Sequence, residues 1–291
     1  NIHIGESNIF ITEACEYTNS FLKFNPNIGV VLNVEAEHMD YFKSLDNVRL
    51  SFRSFVSRIP KDGLLIINGD IDNVKYFTED LECNIITYSL EKESSPINNA
   101  TAHYFATNIK YDDYGKGIFD LLIDGKYVDA ISLNVVGIHN ISNSLPSIAL
   151  ANYFNIPIDV IKKGIFAYTG TERRFEYKGE ICGVTIIDDY AHHPTEVKAT
   201  LKAAKKYPHK SIYCVFQPHT YTRTKTFLDE FANVLSLADV IILTDIYAAR
   251  EKNPGDISSK DLMQKLKELG KEVYHFESFD EIENLILEKC T

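Results

Sequence analysis

No stretch of the 291 residues approaches the roughly 18–20 consecutive apolar residues that a membrane-crossing helix needs. The start, Asn1-Ile2-His3-Ile4-Gly5-Glu6, lacks the charged and apolar regions of a signal peptide. No membrane partner is therefore expected. Cysteine is sparse and scattered: five residues, at 15, 83, 182, 214 and 290, with no C-x-x-C pair. That excludes the usual zinc-ribbon spacing and fits a reducing cytoplasm. Positive charge is in short supply, with 30 Lys+Arg against 41 Asp+Glu and a formal charge of −11. General nucleic-acid binding rests on cationic contacts to phosphates, so that class is excluded too, although a local basic pocket for a phosphorylated substrate is not. Internal repeats and low-complexity tracts are also missing; Ser94-Ser95-Pro96 reads as a loop. The chain opens on Asn without a Met, directly on strand-like text, which suggests processing or an excised piece of something longer.

What is present is ordinary globular material, 45% apolar and 24% charged, and enough of it for two domains at roughly 100–200 residues each. In the first half, Ile9-Phe10-Ile11, Ile28 to Val34, Leu64 to Ile67 and Ile85 to Tyr88 read as short buried strands. Residues 44–58 set Leu45, Val48, Phe52, Phe55 and Val56 at helical spacing. Asp112-Asp113-Tyr114-Gly115 and Asp124-Gly125-Lys126 are hairpin turns within an antiparallel stretch over 101–135. Helices follow near 139–154 and 157–167.

The second half alternates more regularly. Strands at Val184 to Ile187, Ile212 to Phe216, Val240 to Thr244 and Val273 to Phe276 each precede an amphipathic helix, near 194–206, 225–236, 258–269 and 279–289. Pro194 suits a first helical turn and Gly270 a helix end. The expected class is α/β, with a doubly wound, mostly parallel sheet in the second domain and a boundary near Gly170-Thr171.

Ligands of open parallel sheets bind beyond the strands' carboxyl ends, and three loops of the second half crowd that edge with polar groups. They are Asp188-Asp189-Tyr190-Ala191-His192-His193-Pro194, Gln217-Pro218-His219-Thr220-Tyr221-Thr222-Arg223 and Asp245-Ile246-Tyr247-Ala248-Ala249-Arg250-Glu251. Each Asp or His alone is as well explained by turn and cap duty; the three loops together point to a site. Asp189, His192 and His193 have the residue types of a hydrolytic metal centre, but adjacent histidines at a helix start point in different directions. In the first half, Glu16 and His38 follow strands and can meet at a sheet edge, one carboxylate and one imidazole that leave most of a Mg²⁺ shell to water and phosphate. Asn140 and Asn143, three apart on a helix start, share a face, and Asn amides pair both edges of adenine; plain helix capping explains the same spacing.

Six segments in order resemble the Mur ligase family, ATP-dependent enzymes that build the peptide stem of bacterial peptidoglycan. These are Glu13-Ala14-Cys15-Glu16-Tyr17, Asn33 to Asp40, Gly137 to Asn143, Gly170 to Glu176, Asp188 to Glu196 and Gln217 to Arg223. The resemblance implies a central ATPase domain over 1–170, incomplete at its start, and a Rossmann-like ligase domain over 171–291, short of its last strand. It implies ATP and Mg²⁺ as cofactors, UDP-N-acetylmuramic acid and L-alanine as partners, and a cytoplasmic location. The implied chemistry is phosphorylation of the substrate carboxylate to an acyl phosphate, then attack by the alanine amine.

By the same resemblance Glu16 and His38 are metal-linked, and His139, Asn140 and Asn143 face adenine. Arg173 or Arg174 reaches ATP, with Asp188 on the same nucleotide. Tyr190, His192, His219 and Arg223 face the amino acid and acyl phosphate, with His192, His219 and Arg223 closest to the chemistry. Arg223 is the expected carboxylate clamp, because a guanidinium binds a carboxylate bidentately. The family's Gly-x-x-Gly-Lys-Thr/Ser phosphate loop has no counterpart: Lys116 and Lys126 follow glycines but precede Gly117 and Tyr127. These 291 residues alone are thus expected to be inactive. The alternatives are a related ligase that adds another amino acid or a peptide, a metal-dependent hydrolase on Asp189, His192 and His193, or a non-catalytic nucleotide-binding module.

Overall fold

In the computed structural model, which describes residues 5–90 and 100–290, β1 (Ile28–Val31), β2 (Leu64–Asn68), β3 (Asn84–Ser89) and the start of β4 (Ala102–Tyr111) pair side by side, all parallel. Between them lie α1 (Met39–Phe42), α2 (Leu45–Val56) and α3 (Lys75–Thr78). The helical spacing over 44–58 is α2, whose N-cap Ser44 accepts from the Asn47 amide. Its buried face includes Val48, Phe55 and Val56, of which Phe55 and Val56 pack in a core with Phe21, Val31, Leu65, Ile67, Phe77 and Ile85. Removing these apolar surfaces from water is the main driving force for this unit.

Beyond Phe105 the chain enters a second compact unit, which takes up Ala106–Leu122 and everything from Lys126 onward. β4 continues into β5 (Lys116–Ile123) and β6 (Lys126–Val136) through the two turns expected at 112–115 and 124–125. Links this short permit only antiparallel pairing. α4 (Ile138–Tyr153) and α5 (Ile158–Ala167) follow.

Next come β7 (Glu176–Ile181), β8 (Val184–Asp188), α6 (Pro194–Ala204), β9 (Tyr213–Phe216), α7 (Tyr221–Thr226), α8 (Leu228–Leu235), β10 (Val240–Leu243), α9 (Ser259–Glu268), β11 (Glu272–His275) and α10 (Phe279–Lys289). β9 and β11 flank β10, all parallel. The central strand is buried on both faces: Ile241 and Leu243 pack with Phe231, Leu235 and Leu262, while Val240 and Ile242 pack with Ile282. Such double burial is why this stretch reads as a continuous apolar run.

Two sequence expectations are corrected. Ile9-Phe10-Ile11 forms no strand; Phe10 is 85% and Ile11 77% exposed. An apolar triplet has strand-like residues, but a strand exists only with a ladder partner, which local sequence does not specify. Likewise Val184 to Ile187 is a strand but does not belong to the parallel sheet of the second half. It pairs antiparallel with β7 in a two-stranded hairpin, because the turn Cys182-Gly183, both at positive φ, folds it back on its predecessor. The Ser94-Ser95-Pro96 loop and the opening residues 1–4 lie outside the described residues.

Candidate functional site

The first cluster lies in the first unit. Glu16 precedes a 3₁₀ segment, Tyr17–Lys23, and His38 caps α1 from the left-handed region, at φ 54°. That backbone turn brings His38 Nε2 to 3.3 Å from Glu16 Oε1. The hydrogen bond from His38 holds the Glu16 carboxyl below the usual carboxylate range, against the opposing effect of burial. The Tyr17 ring lies against the imidazole at 4.6 Å between centroids. An ionised carboxylate oxygen beside an imidazole suits a hard divalent cation whose remaining positions are filled by phosphate and water, so this donor pair fits Mg²⁺.

The second cluster begins at α4. Gly137 precedes the helix at φ 96°, and a Cβ there would meet the His139 ring at 2.6 Å. Only glycine fits. His139 Nδ1 is buried without a hydrogen-bond partner. Burial pushes the imidazole below its usual range, with Asp189 opposing and Arg174 reinforcing the shift. Asn140 does not cap the helix; its Nδ2 donates to the Val136 carbonyl at 2.8 Å, which fixes the orientation of the amide. Asn143 is exposed one turn on.

The third cluster is the rim of the second unit. Arg173 and Phe175 both take positive φ, 59° and 47°, an uncommon conformation for side chains of this size. The bend puts the Arg173 guanidinium over the Tyr190 ring, 4.2 Å from its centroid, and the Arg173 carbonyl accepts from the Tyr190 amide at 2.7 Å. Arg174 instead reaches Glu196 at 3.4 Å. Burial alone would raise the Glu196 carboxyl, yet the His192 and His193 backbone amides and the nearby His192 and Arg174 charges hold it below its usual range.

Four rings then follow in series: Tyr190 to His192 at 5.1 Å, His192 to His219 at 5.5 Å and His219 to Tyr247 at 5.4 Å. Donor and acceptor rules set the protons. His192 Nδ1 lies 2.8 Å from the Tyr190 carbonyl, which can only accept, so Nδ1 carries the hydrogen. His219 Nδ1 lies 3.1 Å from Arg223 Nη1, which can only donate, so His219 is a neutral ring protonated at Nε2. Arg223 Nη1 also donates to the His219 carbonyl at 3.3 Å. Fixing one nitrogen of a planar guanidinium orients the whole fork.

The structure therefore brings together Tyr190, His192, His219, Arg223 and Arg173, and separately Glu16 with His38. Asp188 is not joined to either group; it ends β8 opposite Glu176. Asp189 and His193 are committed to local structure, contrary to a hydrolytic metal centre. Asp189 accepts from the Phe175 amide at 2.9 Å, the Ala191 amide at 2.8 Å and the Thr200 hydroxyl at 2.9 Å. His193 is the buried N-cap of α6 in a capping box with Glu196. Among the described residues, no group of three or more His, Cys, Asp or Glu side chains is placed to hold a metal ion. The sequence marks Tyr247 only as one member of the third rim loop, without a role of its own; its position on the loop after β10 is the available signal.

Two polar clusters and a cationic, aromatic rim sit on an α/β frame, and comparison with known proteins gives its family: the chain belongs to the Mur ligase family. Residues 4–151 match the Mur ligase middle domain and residues 173–290 the Mur ligase glutamate ligase domain. Among curated relatives, the UDP-N-acetylmuramate–L-alanine ligase of Lachnoclostridium phytofermentans is 53% identical over all of this chain and 62% of its own length. That of Lachnospira eligens is 49% identical over the same shares. The chain thus spans less than two thirds of these relatives. The solved UDP-N-acetylmuramate-alanine ligase of Thermotoga maritima shares the fold, with a TM-score of 0.70 at 24% identity over 92% of this chain and 55% of that one.

Proposed function

We propose that this chain supplies the nucleotide- and amino-acid-handling parts of a cytoplasmic ligase that joins L-alanine to UDP-N-acetylmuramic acid at the expense of ATP. Residues 1–170 are read as the ATP-binding part and 171–291 as the part that receives the amino acid. The carrying observation is 53% identity over the entire chain to a relative bearing that name, and the Arg223–His219 arrangement is its chemical counterpart.

A carboxylate is a poor electrophile. In the proposed reaction a carboxylate oxygen of UDP-N-acetylmuramic acid attacks the γ-phosphorus of ATP, and ADP departs. The alanine nitrogen then attacks the acyl carbon, inorganic phosphate leaves with the carbon–oxygen bond pair, and the nitrogen gives up its proton to form a neutral amide. Glu16 and His38 would hold Mg²⁺, which when bound supplies positive charge beside the phosphates. Asn140, with its amide fixed on Val136 O, and Asn143 would read adenine, beside His139. Arg173, already stacked on Tyr190, would offset charge on the transferred phosphoryl group. Arg223 would clamp the alanine carboxylate. His192, with its hydrogen on Nδ1, offers Nε2 as the nitrogen able to accept a proton from the attacking amine.

Phosphate release from ATP and UDP-N-acetylmuramic acid, measured in the full-length protein containing these residues with a panel of amino acids and peptides, tests the reading. L-alanine is expected to support turnover, and the 291 residues alone, without a phosphate-loop lysine, to show none. Preference for glutamate or a tripeptide would overturn it.

A further inference from the structure

Tyr247 lies on the loop after β10, and its backbone is locked to the loop after β9. Its amide donates to the Pro218 carbonyl and its carbonyl accepts from the Thr220 amide, both at 2.8 Å. His219 and Tyr247 thus form a parallel bridge beyond the end of the sheet. One side chain over, the same His219 holds Arg223 Nη1. Ring and guanidinium are consequently set against one imidazole, Tyr247 at 5.4 Å between centroids and Arg223 at 3.1 Å. Despite this anchoring the Tyr247 side chain is not absorbed into the core; the residue is 54% exposed. A large ring fixed at its base and open to solvent beside a carboxylate receptor is a wall.

Backbone strain reinforces the wall. Thr220 takes φ 67° with ψ 144°, a region seldom occupied by residues with a Cβ. It is held there by the bond to Tyr247 and by its own capping of α7, whose Arg223 amide reaches Thr220 Oγ1 at 3.4 Å. Swinging the Tyr247 backbone away would release the same segment that places Arg223.

We propose that Tyr247 is a specificity-determining residue for the amino-acid substrate, admitting a methyl side chain and rejecting larger ones by steric exclusion. This rests on the reading of Arg223 as the carboxylate clamp. An amino acid held there by its carboxylate has its Cα one bond from the clamped carboxyl carbon and its side chain one bond further, beside the strip that Arg223 shares with His219 and Tyr247. A longer or branched side chain must displace a ring that its backbone and the His219 contact both hold.

The test measures kcat/KM in the full-length protein for L-alanine, L-2-aminobutyrate and L-valine. Tyr247→Ala is expected to improve the larger amino acids relative to alanine by about tenfold or more, the scale at which an apolar pocket discriminates one methylene. Tyr247→Phe, which keeps the ring, should keep the ranking, and KM for ATP should stay within about twofold in both variants. Tyr247→Leu, of intermediate bulk and checked by thermal melting, serves if the alanine variant does not fold. An unchanged ranking in a folded, active Tyr247→Ala or Tyr247→Leu protein overturns the proposal. A wild-type protein that does not use alanine at all would instead overturn the functional reading on which it rests.

Discussion

The Glu16–His38 pair and the His192–His219–Arg223 rim bring similar chemistry together by different means. In the first, a carboxylate and an imidazole meet through a single hydrogen bond between two loop residues, one of them left-handed, with a tyrosine ring laid against it. In the second, two imidazoles lie in a ring series whose Nδ1 roles are set by carbonyl and guanidinium partners, on loops tied by backbone bonds. The first arrangement depends on a charge that titrates. The second depends on geometry that several contacts share. Under the proposed roles, the ionised carboxylate would serve a cation and the shared geometry would serve the selection of one amino acid.

The sharpest way to break this contrast is at Arg223. Arg223→Lys keeps the charge but loses the planar fork and the contact with His219 Nδ1. KM for alanine in the full-length protein is expected to rise by roughly 10–100-fold, the equivalent of about one charge-assisted hydrogen bond, with KM for ATP little changed. A proportional rise in both would show that the guanidinium serves the nucleotide instead.

A smaller effect is expected at Asp189, which anchors the rim through local hydrogen bonds. Asp189→Ala leaves the Phe175 amide, the Ala191 amide and the Thr200 hydroxyl without their acceptor. Urea denaturation should show a loss of about 2–4 kcal/mol, from hydrogen bonds to a charged acceptor worth roughly 1.5–3 kcal/mol each and partial replacement by water. A loss below about 0.5 kcal/mol would mean that solvent replaces all of them.

The smallest effects are pH slopes, and they separate the clusters. Glu16 has a depressed carboxyl, so its contribution to stability is present above the ordinary carboxylate range and is lost as pH falls through the lowered folded value. His139 has a depressed imidazole. Folded and unfolded chains are both neutral there above the ordinary imidazole range, so stability declines only as pH falls below it and the unfolded chain takes up a proton first. His38→Gln should therefore flatten the stability curve in the acid limb, and His139→Asn should flatten it in the mildly acidic limb. Thermal melts across pH that show no such separation would refute the assignment.

Much of this was legible in the residues. Val48, Phe55 and Val56 are spaced for one helix face, and the turns at 112–115 and 124–125 contain residues that tolerate tight reversal, so α2 and both hairpins follow from local chemistry. Pairing is not local. Ile9-Phe10-Ile11 has strand-like residues but no ladder, and Val184 to Ile187 has the composition of a parallel-sheet strand although its partner is β7. The rim was legible as a density of polar groups on three loops, but the division of labour within it was not. Nothing in the spacing of Asp189 and His193 says that their lone pairs are used by neighbouring amides, because that depends on where Phe175 and Thr200 come to rest. Tyr247 was legible as one member of the third rim loop but not as a neighbour of His219, which only the backbone bridge between the two residues shows.

The strained Thr220 backbone has a mechanical meaning as well. Thr220 is held in that conformation by its hydrogen bonds to the Tyr247 carbonyl and from the Arg223 amide. The amino acid would meet a cup whose shape is settled before it arrives. Recognition of that kind rejects misfits at first contact, without waiting for a slower rearrangement to test them.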